Sequence, residues 1–185
     1  EPPKDGFLEK VRKLATEKGI VLVFDECTSG FRETFGGLHK KYDVDPDLAI
    51  FGKALGNGYA ISAVIGRREI MYYAQSTFIS STFWTERIGP TAALKTLEVM
   101  ESIKSWEQIS KTGKRIGNRW KELGEKYELP IDISGLSSLN NFNIPSKNWL
   151  KYKTLITQEM LKQKILASNV VYVCTEHTTK IIDRY

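Results

Sequence analysis

Two short apolar segments each end in a charged side chain that can take part in catalysis. The first, residues 20–24, is followed by Asp25 and Glu26, and the second, residues 48–51, is followed by Gly52 and Lys53. A lysine ε-amine that is partly deprotonated can form an imine with an aldehyde, and a carboxylate stabilises a nearby cation. Asp25 and Lys53 are therefore a candidate catalytic pair. An ordinary ion-pairing or helix-capping role for the aspartate, and an exposed surface position for the lysine, are the alternatives.

The elements that carry these residues are predicted to be strands. Continuous apolar runs of this length are typical of strands buried on both faces of a parallel sheet. Ligands bind outside the carboxyl ends of such strands, so we expect Asp25 and Lys53 to face one crevice. A helix over residues 6–18 precedes the first strand. A third strand over residues 61–65, antiparallel or at an edge, and a short helix over 67–74 follow the lysine.

The remainder of the chain predicts two long helices and a smaller sheet. Residues 89–103 are apolar enough for a buried helix, and residues 106–127 place one apolar stripe along a second helix. A half-exposed antiparallel strand or hairpin over 131–144, a helix over 150–166 and a strand over 170–174 complete the pattern. We therefore expect a domain over residues 1–104, and a linking helix with most of a small α+β domain over residues 105–185.

Composition indicates an ordinary globular protein. The chain has 185 residues, of which 41% are hydrophobic and 26% charged, with a net charge of +5. Lysines alternate with glutamates along the predicted helices, which favours solvated faces over a nucleic-acid surface. No segment is long and apolar enough to predict a membrane span. The two cysteines suggest neither a disulfide framework nor a metal site, so we expect a cytoplasmic protein.

Several motifs in a fixed order resemble one enzyme family. They are Phe-Asp-Glu-Cys-Thr-Ser-Gly-Phe-Arg at residues 24–32, Pro-Asp-Leu at 46–48 and Gly-Lys-Ala-Leu-Gly-Asn-Gly at 52–58. Together they resemble the class III aminotransferases, which use pyridoxal 5'-phosphate (PLP), and most closely the branch of glutamate-1-semialdehyde 2,1-aminomutase. The resemblance implies an α/β fold. Its large domain would be part of a PLP-transferase fold of type I with a mostly parallel sheet, followed by the small α+β domain.

The resemblance also implies roles for five residues. Lys53 would carry PLP as a Schiff base, and Asp25 would pair with the pyridine nitrogen. Cys27 stands where the family usually has valine under the ring, and Thr28 stands where a glutamine often bonds the ring hydroxyl. Thr82 matches a threonine that binds the cofactor phosphate of the neighbouring subunit. A homodimer with shared active sites is therefore implied.

Four further polar residues allow more than one interpretation. Arg32 could bind a substrate carboxylate, since a guanidinium fork suits that group, or form a structural ion pair. Glu26 is expected to be structural through a hydrogen bond. His39 and His177 lack the spacing of metal ligands and are expected at the surface or as caps. A nucleophilic role for Cys27 is the alternative to simple packing under the ring.

The predicted function is amino-group transfer on a small amino acid or amino aldehyde, as an aminotransferase or a 2,1-aminomutase. Enzymes of the family are considerably longer than this chain, so we expect a fragment without the amino-terminal half. In the family that half holds the loop that binds the cofactor phosphate. The chain alone is therefore expected to be inactive. The alternative function is a non-catalytic fragment that serves assembly or regulation.

Overall fold

The predicted strand Leu48–Phe51 lies at the centre of a three-stranded sheet, between β1 (Val23–Asp25) and β3 (Ala63–Gly66). The computed structural model describes residues 2–83 and 85–185. The central strand, β2, pairs with β1 in parallel, with Asp25 opposite Ile50. It pairs with β3 in the antiparallel sense. The predicted α/β class is confirmed, with parallel neighbours and an antiparallel strand at the edge.

The first apolar segment is only partly a strand. Ile20 donates its backbone N–H to the carbonyl of Ala15 at 2.8 Å, and Leu22 donates to the Asp47 carboxylate at 2.7 Å. These bonds hold residues 20–22 against a helix and a loop, so pairing with β2 begins only at Val23. Burial on both faces was the wrong expectation for the described residues, because Ile20 and Val23 are 59% and 44% exposed.

Helices and 3₁₀ turns surround this sheet in the compact unit Pro3–Lys104. The helices are α1 (Phe7–Glu17), α2 (Arg68–Met71) and α3 (Ile88–Ile103), and the 3₁₀ turns are Leu38–Lys41, Lys53–Leu55 and Tyr72–Gln75. The prediction of a buried helix at α3 was wrong, since only Gly89 and Ala93 are buried in it. Ala93 packs with Phe51 and Leu55, so α3 supports the turn that carries Lys53.

The second compact unit, Ser105–Tyr185, contains a long helix and an antiparallel sheet. Its elements are α4 (Ser105–Lys126), β4 (Asp132–Leu136), β5 (Leu139–Asn143), α5 (Trp149–Lys162), β6 (Val170–Tyr172) and α6 (Thr179–Arg184). The predicted hairpin is β4–β5, with β6 on the other side of β5. The predicted apolar stripe of α4 is also present, because Ile109, Ile116 and Trp120 are buried in the core of this unit.

Glycines on α4 allow the hairpin to approach the helix closely. A Cβ atom on Gly113 would lie 1.7 Å from the carbonyl oxygen of Ser137. The side-chain amide of Asn140 donates a hydrogen bond to the Gly113 carbonyl at the same contact. Glycine lowers helix propensity by about 1 kcal/mol relative to alanine. The contact with the hairpin therefore explains why the helix carries a glycine here.

The outward face of α4 carries charged pairs at helical spacing. Arg119 lies 2.9 Å from the carboxylate of Glu122, and Lys121 lies 4.0 Å from that of Glu125. Exposed pairs of this kind stabilise a helix by only about 0.3–0.5 kcal/mol. Among the described residues, no helix is long and apolar enough to cross a membrane.

Candidate functional site

Asp25 is the last residue of β1, and its carboxylate points out of the sheet at the carboxyl end of the strand. Its Oδ1 accepts the backbone N–H of Cys27 at 3.0 Å, which closes a tight turn directly after the strand. That hydrogen bond is the largest cause of a lowered pKa for Asp25, followed by a bond from the Cys27 thiol, with the charge of Lys53 adding to both. The side chain is exposed and ionised at neutral pH.

Lys53 begins a 3₁₀ turn two residues after the end of β2, with Gly52 between them. The turn is closed by a hydrogen bond from the Leu55 N–H to the Gly52 carbonyl at 3.0 Å, and Leu55 is buried in the core. Lys53 has a φ of 43°, in the left-handed region. An L-residue there costs roughly 1–2 kcal/mol, and such strain is concentrated at functional positions.

The sheet brings Asp25 and Lys53 to the same edge, as the sequence predicted. Because β1 and β2 are adjacent and parallel, their carboxyl ends lie side by side. The Lys53 charge is close enough to lower the pKa of Asp25. The arrangement places a carboxylate and a primary amine together at the position where α/β sheets bind ligands.

Cys27 lies next to both members of this pair and is half-buried. Its Sγ lies 3.4 Å from the point that a Cβ atom on Gly52 would occupy. A hydrogen bond to Asp25 is the first cause of a raised pKa for the Cys27 thiol, with burial and the Asp25 charge adding to it. A raised pKa keeps the group as a neutral thiol, and only the thiolate is a good nucleophile. A thiol that stays neutral at neutral pH is a poor nucleophile.

Thr28 contacts the lysine directly, since its Oγ1 accepts a hydrogen bond from the Lys53 ammonium. Thr82 lies in an exposed turn, and none of the hydrogen bonds between described residues joins it to Asp25 or Lys53. Arg32 donates from Nε to the backbone carbonyl of Thr28 at 3.4 Å, so it supports the loop after β1. The structure thus brings together Asp25, Cys27, Thr28 and Lys53, and no hydrogen bond between described residues links Thr82 to this group.

A buried carboxylate behind the pair fixes this loop. Glu26 accepts hydrogen bonds from the Ser29 hydroxyl and, at 3.0 Å each, from the backbone N–H and ring Nδ1 of His39. Burial alone would raise the pKa of Glu26, but the bonds from Ser29, Leu38 and His39 outweigh it and lower the pKa. Glu26 is structural, as expected. The expectation that His39 is a surface or capping residue was wrong, because its side chain is only 10% exposed.

Asp47 is a structural anchor that the sequence analysis did not identify as such. Its carboxylate lies 2.8 Å from Arg12 of α1 and 3.0 Å from Arg67, which follows β3, and it also accepts the Leu22 N–H. The Leu22 bond is the largest cause that lowers the pKa of Asp47 to about 2, and the two arginines add to it against the cost of burial. A polar residue just before an apolar strand was the only signal in the sequence.

Comparison with known proteins identifies the family of this chain. The family model for class III aminotransferases matches residues 1–180. The chain is 35% identical to a 3-aminobutyryl-CoA aminotransferase from Cloacimonas acidaminovorans, over 95% of this chain and 44% of that protein. It is 32% identical to a glutamate-1-semialdehyde 2,1-aminomutase from Methanococcus maripaludis, over 93% of this chain and 42% of that protein. The chain therefore spans less than half the length of the curated relatives it matches.

Solved structures show the same fold. An omega-transaminase from Sphaerobacter thermophilus matches all of this chain and 46% of its own, with a TM-score of 0.89 and 20% identity. The FumI protein of Sphingopyxis sp. MTA144, solved in its PLP internal aldimine form, matches 96% of this chain and 44% of its own, with a TM-score of 0.89 and 22% identity. With the motifs and the family match over residues 1–180, these likenesses lead to one conclusion: the chain belongs to the class III aminotransferase family, whose cofactor is pyridoxal phosphate.

Proposed function

We propose that this chain carries the amino-group transfer chemistry of a PLP-dependent aminotransferase or 2,1-aminomutase acting on a small amino acid or amino aldehyde. The observation that carries the proposal is the pairing of Asp25 and Lys53 at the ends of two adjacent parallel strands. The names of two relatives, an aminotransferase and an aminomutase, support the same class of reaction.

The residues present fit the cofactor. A pyridine nitrogen that stays protonated needs a carboxylate that stays ionised, and the lowered pKa of Asp25 meets that need. An aldehyde needs a primary amine, which Lys53 supplies at the same edge of the sheet. Cys27 adds a small, soft side chain between them, as a surface for packing against a ring. When bound, pyridoxal phosphate supplies an electron-accepting ring that stabilises a carbanion.

Each protein group then has a defined task. Lys53 Nζ holds a proton or releases it, so the amine can take a proton from a substrate carbon and return one to another atom. Asp25 would supply a fixed negative charge to the pyridine nitrogen when the cofactor is bound. Glu26 and His39 hold the loop that carries Cys27 and Thr28, so they act on the orientation of the site and not on the substrate.

We further propose how the parts of the chain contribute to this activity. Residues 1–104 would belong to the cofactor-binding large domain, and residues 105–185 to a linking helix and the small domain. Thr82 would serve the phosphate site of a partner subunit in a homodimer. Four aromatic side chains of the segment 72–83, which contains Thr82, are strongly exposed, and this supports an interface at the segment: Tyr72 (73%), Tyr73 (70%), Phe78 (93%) and Phe83 (74%).

Because the chain alone is expected to be inactive, the test is half-transamination by the chain joined to the amino-terminal half of a class III aminotransferase, with added cofactor and an amino donor. The same joined protein is used wherever the cofactor is added below. We expect the visible absorption of the bound cofactor to change on addition of the donor in the parent and in a Lys40→Ala control. In Lys53→Ala we expect neither the visible absorption of a bound cofactor nor its change on addition of the donor. Lys40 suits the control because it is an exposed lysine of the same unit whose Nζ donates a hydrogen bond to the Phe35 carbonyl at 3.2 Å. Equal responses in the Lys53 and Lys40 variants would contradict the proposal.

A non-catalytic role in assembly is the second candidate, because apolar side chains are exposed on both edge strands. Val23 of β1 and Val64 of β3 are 44% and 48% exposed. Particle size measured by light scattering, with and without the cofactor, separates the two candidates. A chain that self-associates strongly and takes up no cofactor favours the assembly role.

A further inference from the structure

We propose that Thr28 is a positioning residue for Lys53, holding its amine at the sheet edge in both protonation states. This inference rests on the proposed function and deepens it. It starts from the hydrogen bond between the Lys53 ammonium and Thr28 Oγ1. It also gives a role to the threonine at this position, where the family motif often has glutamine.

The hydroxyl of Thr28 is presented from a firmly held backbone. The N–H of the preceding residue, Cys27, is bound to Asp25 Oδ1 at 3.0 Å, and the carbonyl of Thr28 accepts from Arg32 Nε at 3.4 Å. The hydroxyl of the next residue, Ser29, is bound to the buried Glu26. Threonine is also stiff at χ1, because it branches at Cβ. The hydroxyl therefore occupies a defined point.

The lysine side chain needs such a fixed point. Lys53 is exposed and has a flexible four-carbon stem, so burial does not hold its amine. Its carbonyl is bound by the Asn57 N–H at 3.0 Å, which fixes the backbone but not the side chain. Among the described residues, Lys53 Nζ donates its side-chain hydrogen bond to Thr28 Oγ1.

A hydroxyl suits an amine that must gain and lose a proton. It can accept a hydrogen bond from an ammonium and donate one to the lone pair of a free amine. A carboxylate at the same place could only accept and would favour the ammonium by its charge. The hydroxyl of Thr28 can therefore bond to Lys53 Nζ in either protonation state of the amine.

The first test compares covalent labelling of Lys53 by pyridoxal phosphate and borohydride in four chains: parent, Thr28→Val, Thr28→Ser and Thr34→Val. Valine keeps the shape of threonine and removes the hydroxyl, and serine keeps the hydroxyl. Thr34 is the matched control, because it lies in the same loop and its hydroxyl binds the Gly37 carbonyl at 2.8 Å instead of the lysine.

We expect Thr28→Val to slow labelling at Lys53 by about fivefold, the effect of one net hydrogen bond. Thr28→Ser and Thr34→Val should stay within about twofold of the parent rate. Labelling at Lys40 should be the same in all four chains. A parental rate in Thr28→Val, or a serine variant as slow as the valine variant, would overturn the inference. A parent that labels Lys53 no faster than Lys40 would instead refute the proposed function.

The second test needs no cofactor, so it distinguishes a failure of the positioning role of Thr28 from a failure of the proposed function. In a chain labelled with ¹³C at lysine Cε, the Lys53 signal is identified by its loss in Lys53→Arg. We expect its two Hε protons to be inequivalent in the parent and in Thr28→Ser, since the amine is held, and to become equivalent in Thr28→Val. Equivalent protons in the parent would show that Thr28 does not position the lysine.

Discussion

At the scale of single residues, the charge of Asp25 is the feature on which the chemistry depends. Asp25→Asn keeps the shape of the side chain and an acceptor for the Cys27 N–H, but removes the charge. We expect exchange of the α-hydrogen of an added amino acid in D₂O, with cofactor present, to slow by about a hundredfold, the usual scale for losing an electrostatic partner at a reacting group. Labelling at Lys53 should persist.

The control for this variant is Asp45→Asn, an exposed aspartate of the same unit. It should leave the exchange rate unchanged. Because the pKa of Asp25 lies below its ordinary value, its protonation should not reduce exchange until the pH falls below about 3.8. Loss of exchange between pH 7 and 5 would have to come from another group, and exchange at the parental rate in Asp25→Asn would remove Asp25 from the mechanism.

His39 allows a test of the buried carboxylate behind the site. His39→Ala removes the ring bond to Glu26, which is only 4% exposed, and leaves fewer donors for a buried charge. We expect the free energy of unfolding in urea to fall by about 1–3 kcal/mol. His39→Gln, which can still donate from a side-chain amide, should recover part of the loss. A His39→Ala chain as stable as the parent would contradict the structural role of this pair.

At the scale of elements, Asp47 joins α1, the segment before β1 and the residue after β3 through Arg12, Leu22 and Arg67. Asp47→Asn should lower the free energy of unfolding at pH 7 by about 2 kcal/mol, since bonds to a charged group are lost. The folded pKa of Asp47, about 2, lies below its ordinary value of 3.8. Its stabilising effect is therefore complete above pH 4 and is lost as the pH falls toward 2.

Thermal unfolding at pH 7 and pH 3 measures this contribution. The parent should lose more stability between the two pH values than Asp47→Asn does. Asp45→Asn is again the control and should follow the parent. If the parent and Asp47→Asn lost the same stability between pH 7 and pH 3, Asp47 would not be the group whose protonation destabilises the protein.

Helix α4 offers a matched pair of glycines. A Cβ on Gly113 would lie 1.7 Å from a backbone oxygen, whereas one on Gly117 would lie 3.3 Å from the side chain of Asn140. Gly113→Ala should therefore destabilise the chain by about 3 kcal/mol, through overpacking against backbone. Gly117→Ala should change stability by less than about 1 kcal/mol, because the gain in helix propensity offsets a small adjustment. The free energies of unfolding of both variants are measured in urea. An equal loss of stability in Gly113→Ala and Gly117→Ala would contradict the close contact between Gly113 and the hairpin.

These elements also show what could be predicted from the sequence. The bounds of β2 were predicted correctly because its apolar run ends at a glycine and is paired along its whole length. The strand predicted over residues 20–24 began too early, because pairing with β2 starts only at Val23 and depends on where β2 begins. The meeting of Asp25 and Lys53 follows from strand direction alone. The contacts of Thr28, His39 and Asp47 depend on how the loops pack, which no local pattern reveals.

In the whole molecule, the residues proposed for chemistry lie in the unit Pro3–Lys104, within a chain that belongs to the class III aminotransferase family. The unit Ser105–Tyr185 has its own core around Ile116, Trp120 and Phe142 and holds none of the residues proposed for chemistry. We therefore expect substitutions in that core, such as Phe142→Leu, to lower stability by about 1 kcal/mol or more without moving the site of cofactor attachment. Peptide mapping of the labelled variant checks this. Attachment that shifted to another lysine in Phe142→Leu would contradict the separation of roles.

The most direct test of the central claim is to locate the covalent attachment of the cofactor. The chain, joined to the same amino-terminal half, is incubated with pyridoxal phosphate, treated with borohydride, digested and analysed by mass spectrometry. The account predicts that the label is found on the peptide that contains Lys53 and that Asp25→Asn retains it there. A label distributed over exposed lysines such as Lys40 and Lys95, with Lys53 no more reactive than they are, would contradict the account.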